Sequence, residues 1–91
     1  MKTIKFSPDT SKKLQKLKLI DLKLFKRIER KLQLFQSDPK HPSLRLHKIT
    51  RQVEDVFSIS INKSVRMLYT NLEDKAYFFE VGTHDEVYKE K

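Results

Sequence analysis

A chain of 91 residues is enough for one domain with a modest core, and the lack of cysteine rules out a disulfide framework, a thiolate metal site and a thiol nucleophile. The net charge of +8 is concentrated in residues 1–51, which hold fifteen Lys and Arg against four Asp and Glu; such a field favours nucleic acid, an anionic membrane surface or an acidic protein as partner. No apolar run approaches the ~20 residues that span a bilayer, and Met1-Lys2-Thr3-Ile4-Lys5-Phe6 has no apolar h-region, so a soluble, cytoplasmic protein is expected.

Thr3 to Phe6 reads as a short strand. Ser7-Pro8-Asp9 starts a helix, with Ser7 as N-cap and Pro8 at the first helical position, where its missing N–H is of no consequence. Leu14, Leu17 and Ile20 then share one face. Asp21 caps a second helix in which Phe25, Ile28, Leu32 and Phe35 recur at helical spacing, with Lys23, Lys26, Arg27, Arg30 and Lys31 on its other faces. Two prolines in Ser37-Asp38-Pro39-Lys40-His41-Pro42 end this helix.

Beyond the prolines the apolar period falls from about 3.6 to 2. A strand is expected through Leu44, Leu46 and Ile49, with Arg45 and His47 on its other face. In Val56 to Ile61 the alternation puts Phe57, Ile59 and Ile61 inward and Ser58 and Ser60 outward. Asn62-Lys63-Ser64 turns the chain back into Val65 to Thr70, and Asn71 to Lys75 turns it again into Ala76 to Val81. The order β-α-α-β-β-β-β, with short late connections, implies an α+β domain over residues 1–91 in which a helical hairpin packs on a mainly antiparallel, twisted sheet.

The chemistry gathers in two places. Val65-Arg66-Met67-Leu68-Tyr69 sets a permanent cation among apolar residues, and the planar fork of Arg66 suits a phosphate. The last strand stops at the only glycine, and Gly82-Thr83-His84-Asp85-Glu86-Val87-Tyr88 then delivers an imidazole, two carboxylates and a phenol to the lip of a sheet. His84 is the candidate acid or base, because unperturbed imidazole titrates near ~6.5. His47 is a second proton-transfer candidate, Asp85 or Glu86 is placed to orient His84 or act as base, and Tyr88 lies beside them. His41 is a solvated loop residue in this reading. The three histidines show no His-x-x-x-His or comparable spacing, so neither a metal nor another cofactor is expected.

These same residues carry a resemblance. The element order, the segment Asp38-Pro39-Lys40-His41-Pro42-Ser43-Leu44-Arg45-Leu46-His47-Lys48-Ile49, the strand Val65-Arg66-Met67-Leu68-Tyr69 and the ending Gly82 to Tyr88 resemble the RelE/ParE superfamily of toxins. The ending is most similar to the YafQ-type messenger-RNA interferases. The resemblance implies a toxin neutralised by a cognate antitoxin, one that cleaves messenger RNA in the ribosomal decoding site without a metal. Arg66 matches the arginine that RelE-like and YoeB-like members carry in this strand. His84 matches the C-terminal histidine of YafQ-like members, and Tyr88 an aromatic that stacks on a base or orients the scissile phosphate. Arg45, Lys48, Arg51 and Lys63 are then the expected RNA-binding cations.

The chain also departs from the family pattern. Ser58 and Ser60 stand where RelE-like members carry lysines, and Ser60 and Ser64 where YafQ-like members carry a histidine and an aspartate. Since serine is a poor general base, proton transfer rests on His84 with His47 or Asp85. Two other functions stay open: a ParE-like toxin directed at gyrase, and a catalytically weak module that binds RNA or antitoxin.

Overall fold

In the computed structural model, which describes residues 2–50 and 55–87, the chain begins with strand β1 (Thr3–Phe6) and turns at Ser7 into helix α1 (Pro8–Ile20). Ser7 Oγ accepts from the Thr10 N–H at 3.1 Å, and Pro8 opens the helix. Asp21 serves both neighbours: its N–H donates to the Leu17 carbonyl at 2.7 Å, and its Oδ1 accepts from the Leu24 N–H at 3.2 Å at the start of α2 (Leu22–Ser37). One residue thus closes one helix and opens the next, which makes the hairpin tight.

Ile28 and Phe35 are fully buried on α2, with Leu24, Phe25 and Leu32 packed against the same core. Leu14 and Leu17 hold α1 to it. Ile20, expected on that face, is exposed instead, because the helix ends there and the chain turns away at Asp21. Leu24 is half-buried, while Leu19 is 86% exposed.

The strand expected from Leu44 starts later. Pro42–Leu44 form a 3-10 turn, and Arg45 follows in the left-handed region at φ 47, so extended backbone resumes only at β2 (His47–Thr50). His41 caps this turn, its Nδ1 accepting from the Ser43 N–H at 3.1 Å, which gives the loop histidine a structural role. The chain continues as β3 (Asp55–Ser60), β4 (Val65–Leu72) and β5 (Lys75–Thr83). Asn62 forms the β3–β4 turn, its Oδ1 accepting from the N–H groups of Ser64 and Val65 at 2.7 Å each. A four-residue helical turn, α3 (His84–Val87), follows β5 directly.

The five strands lie in the order β1-β5-β4-β3-β2, with β1 parallel to β5 and the other pairs antiparallel. The fold is therefore α+β, with the helical hairpin on a mixed, mostly antiparallel sheet. The helix-facing core is aromatic at its centre: the Phe35 ring meets Tyr69 edge-on at 5.0 Å and Phe78 at 5.4 Å. Burial pushes the Tyr69 phenol above its ordinary pKa. A smaller cluster of Val56, Leu68 and Val87, with Ile49 and Phe79 against it, lies on the opposite face. Val87 pins α3 there, next to the residues that carry polar chemistry.

Candidate active site

The sheet face away from the helices is assembled by register. His47 pairs with Ser58, Ser58 with Leu68, Ser60 with Arg66, and Arg66 with Gly82, so these residues share one face. Arg66 lies diagonally across it. Its Nε donates to Ser58 Oγ at 2.6 Å, and its Nη2 to the Arg45 carbonyl at 3.0 Å. Neither acceptor carries a full charge, and among the described residues Arg66 has no carboxylate partner. The guanidinium is half-buried and oriented by two uncharged anchors, an arrangement suited to an incoming phosphate.

Ser58 and Ser60 lie on the outward face, as the alternation indicated, but are buried there. Ser58 lies under Arg66, and Ser60 Oγ donates to the Asn62 carbonyl at 3.0 Å. The outward face of the sheet is thus covered locally by a long cationic side chain and by α3, which a two-residue period cannot indicate.

At the end of β5 the chain closes on itself through a reciprocal pair of bonds. The Thr83 N–H donates to Glu86 Oε1 at 2.8 Å, and the Glu86 N–H donates to Thr83 Oγ1 at 3.3 Å. This is a capping box, and Thr83-x-x-Glu86 is its sequence signature, legible in advance but not used above. Hydrogen bonds from the Thr83 N–H and then its hydroxyl hold the Glu86 carboxyl below the usual carboxylate range, with Lys13 contributing less. Lys13 also donates to the Val81 carbonyl at 2.6 Å, tying α1 to this strand end. Glu86 is thereby committed to structure.

Gly82 owes its place to close approach. A Cβ there would lie 3.0 Å from Glu86 Oε1 and 3.2 Å from Glu86 Cβ, tighter than ordinary packing. The absence of a side chain lets α3 fold back over the strand directly opposite Arg66.

The expected site residues therefore fall into groups. Arg66 and His47 flank Ser58 on one face, with His47 exposed at the start of β2. The His84 backbone opens α3, two positions past the glycine that pairs with Arg66, and Asp85 follows on the exposed side of that turn. Arg45 joins them through its carbonyl. Lys63 is exposed in the β3–β4 turn, two positions before the β4 residue that pairs with Thr83. Lys48 stands apart: it pairs with Phe57 on the helix-side face and makes a 3.4 Å ion pair with Asp55. Tyr88 and Arg51 lie outside the described residues. Among the described residues no group of three or more His, Asp or Glu is placed to hold a metal ion. Ser58 was read only as a departure from the family, yet it is what positions Arg66.

No family model and no curated protein matches the sequence. Solved structures do. The YoeB–YefM toxin–antitoxin heterotetramer of Staphylococcus aureus contains a chain 20% identical at a TM-score of 0.74, over 92% of this chain and 98% of that one. The DinJ–YafQ toxin–antitoxin complex of E. coli gives 14% identity and a TM-score of 0.73, over 96% and 97%. A YoeB/ParE toxin from Agrobacterium tumefaciens gives 10% and 0.74, over 90% and 98%. At such identities the likeness is one of fold. The chain has the RelE/ParE-type toxin fold, and the match falls on YoeB-type and YafQ-type structures alike, without favouring the YafQ type expected from the ending.

Proposed function

We propose that this chain is the toxin of a toxin–antitoxin pair and a metal-independent endoribonuclease that cuts messenger RNA in the ribosomal decoding site. The observation that carries the reading is Arg66, oriented by Ser58 and the Arg45 carbonyl and lacking a carboxylate partner among the described residues. In the reaction the ribose 2′-oxygen forms a bond to the adjacent phosphorus, and the bond from phosphorus to the 5′-oxygen breaks. A base takes the 2′-hydroxyl proton and an acid protonates the departing oxygen, giving a 2′,3′-cyclic phosphate and a 5′-hydroxyl end. Arg66 stabilises the extra charge of the phosphorane. His84 and His47 are the proposed proton carriers, with Asp85 orienting His84 and Tyr88 stacking on a base.

An antitoxin partner is part of the proposal. Two of the matched structures are toxin–antitoxin complexes, and the basic first half of the chain attracts an acidic segment. Leu19, Ile20 and Leu22, exposed at the helix junction, offer apolar anchors. No helix among the described residues is long and apolar enough to cross a membrane.

The test is to induce the wild-type chain and the Arg66→Ala/His84→Ala variant in a bacterial host and map messenger-RNA 5′ ends on translating ribosomes. Cuts at the decoding site from wild type alone are expected. Growth arrest without cuts would move the target to gyrase, and no arrest would reduce the chain to a binding module.

A further inference from the structure

Past Ser58 the ladder between β2 and β3 stops, since the two pair only from His47↔Ser58 to Thr50↔Asp55, and the 3-10 turn at Pro42–Leu44 packs against β3 at this edge instead. Cations reach this edge from both faces. From the helical side Arg27 Nε donates to the Ile61 carbonyl at 2.8 Å, and one turn along α2 Lys31 Nζ donates to the Ser43 carbonyl at 3.1 Å. From the opposite face Arg66 reaches the Arg45 carbonyl, two residues beyond Ser43. Arg27, Lys31 and Arg45 thus form a rim joined to Arg66 through the short segment Ser43 to Arg45.

Arg27 and Lys31 are each anchored on a backbone carbonyl, which fixes a cation without neutralising it, and the Arg45 charge is close enough to act on Lys31. The one ion pair among the described residues, Lys48–Asp55, lies elsewhere. Asp21, which lines the same groove as Arg27, is engaged with the Leu24 N–H. Crowding of like charge is felt within the rim: burial first, then Arg27 and Arg45, lowers the Lys31 pKa below its ordinary value. A bound polyanion relieves that repulsion.

We propose that Arg27, Lys31 and Arg45 bind the phosphodiester backbone of single-stranded RNA flanking the bond held at Arg66, a role that rests on the ribonuclease reading. RNA is favoured over an acidic protein because the rim is continuous with Arg66, so a strand engaged there passes its neighbouring phosphates over this edge. Exposed apolar anchors suited to a protein partner cluster instead at Leu19, Ile20 and Leu22.

The probe is a short, fluorescent, 2′-O-methylated single strand, which binds but has no free 2′-hydroxyl to attack. Its affinity for the full chain is followed by anisotropy across a salt series. Lys31→Gln/Arg45→Gln is expected to bind more weakly and to flatten the plot of log K against log salt by about 1.4, given ~0.7 per phosphate contact on single strands. Lys31→Arg/Arg45→Lys should retain the wild-type slope. An unchanged slope in a glutamine variant with wild-type circular dichroism and melting would overturn the proposal. So would loss of polyglutamate binding with RNA binding intact, which would assign the rim to an acidic protein. Decoding-site cuts by wild type together with an unchanged slope would remove the rim alone; a flattened slope without such cuts would remove the ribonuclease reading alone.

Discussion

Arg66 is held in place by two uncharged acceptors, and among the described residues no carboxylate pairs with it. Ser58 supplies half of that placement through a single hydroxyl, so Ser58→Ala leaves the guanidinium on the Arg45 carbonyl alone. Hydrogen bonds to charged groups contribute about 1.5–3 kcal/mol. On the proposed ribonuclease reading, a loose Arg66 forfeits part of that in the transition state, and the expected result is a fall of about tenfold in cleavage rate for each 1.4 kcal/mol lost. Arg66→Ala should abolish cleavage while the chain still folds, since Arg66 is only half-buried and belongs to neither apolar cluster. Primer extension on ribosome-bound message, beside a thermal melt of each variant, checks both. Full activity in a folded Arg66→Ala would remove it from the chemistry. The sequence showed Arg66 as a candidate because an arginine among apolar strand residues is conspicuous; it did not show Ser58, because the partnership crosses from one strand to the next.

The turn from β5 into α3 is held by its own caps. Thr83→Ala removes the hydroxyl that accepts from the Glu86 N–H, and loss of such a cap costs about 1 kcal/mol. Gly82→Ala forces a Cβ against Glu86 and should release the same turn by displacing the carboxylate from the Thr83 N–H. Both changes are expected to lower activity by shifting His84, with little change in the rest of the sheet; amide hydrogen exchange at Thr83 and Glu86 measures the release. The cap is also pH-dependent, with a definite sign. The folded state holds the Glu86 carboxyl below its unfolded value, so the stabilisation is complete above the ordinary carboxylate range and is lost as pH falls through the depressed value. The protection of the Thr83 amide, taken relative to its intrinsic exchange rate at each pH, should therefore fall in acid in the wild type, and Glu86→Gln should flatten that profile. A wild-type profile as flat as that of Glu86→Gln would remove the carboxylate from the cap.

The molecule is organised around an aromatic centre and a cationic sheet edge. Phe35, fully buried and edge-on to Tyr69 and Phe78, joins the helical hairpin to the sheet. Truncation of such a residue costs about 3–5 kcal/mol. Phe35→Ala is expected to lower the melting temperature by more than about 12 °C, at ~4 °C or more per kcal/mol for a domain of this size. A smaller fall would mean that the hairpin is held mainly by its polar links, Lys13 to Val81 and Arg27 to Ile61. Those links hold Lys13 and Arg27 on backbone carbonyls, so the same side chains fasten the helices and keep positive charge at the sheet's rim.

Local chemistry determined the elements: Ser7, Pro8 and Asp21 at helix starts, the 3.6-residue spacing of Phe25, Ile28, Leu32 and Phe35, and the two-residue alternation from Phe57 to Ile61. These depend on neighbours within a few positions, so the sequence alone is sufficient to read them. It was insufficient at Leu44 to Leu46, where a 3-10 turn and a left-handed Arg45 replace the expected strand, and at Ser58 and Ser60, which are buried. There the outcome depends on residues some twenty positions away, Arg66 on Arg45, or on α3 folding back past Gly82. Only the tertiary structure paired β1 in parallel with β5, set His47, Ser58 and Arg66 on one face, and moved Lys48 to the other. Register decides such matters, because a shift of one residue sends every side chain of a strand to the opposite face.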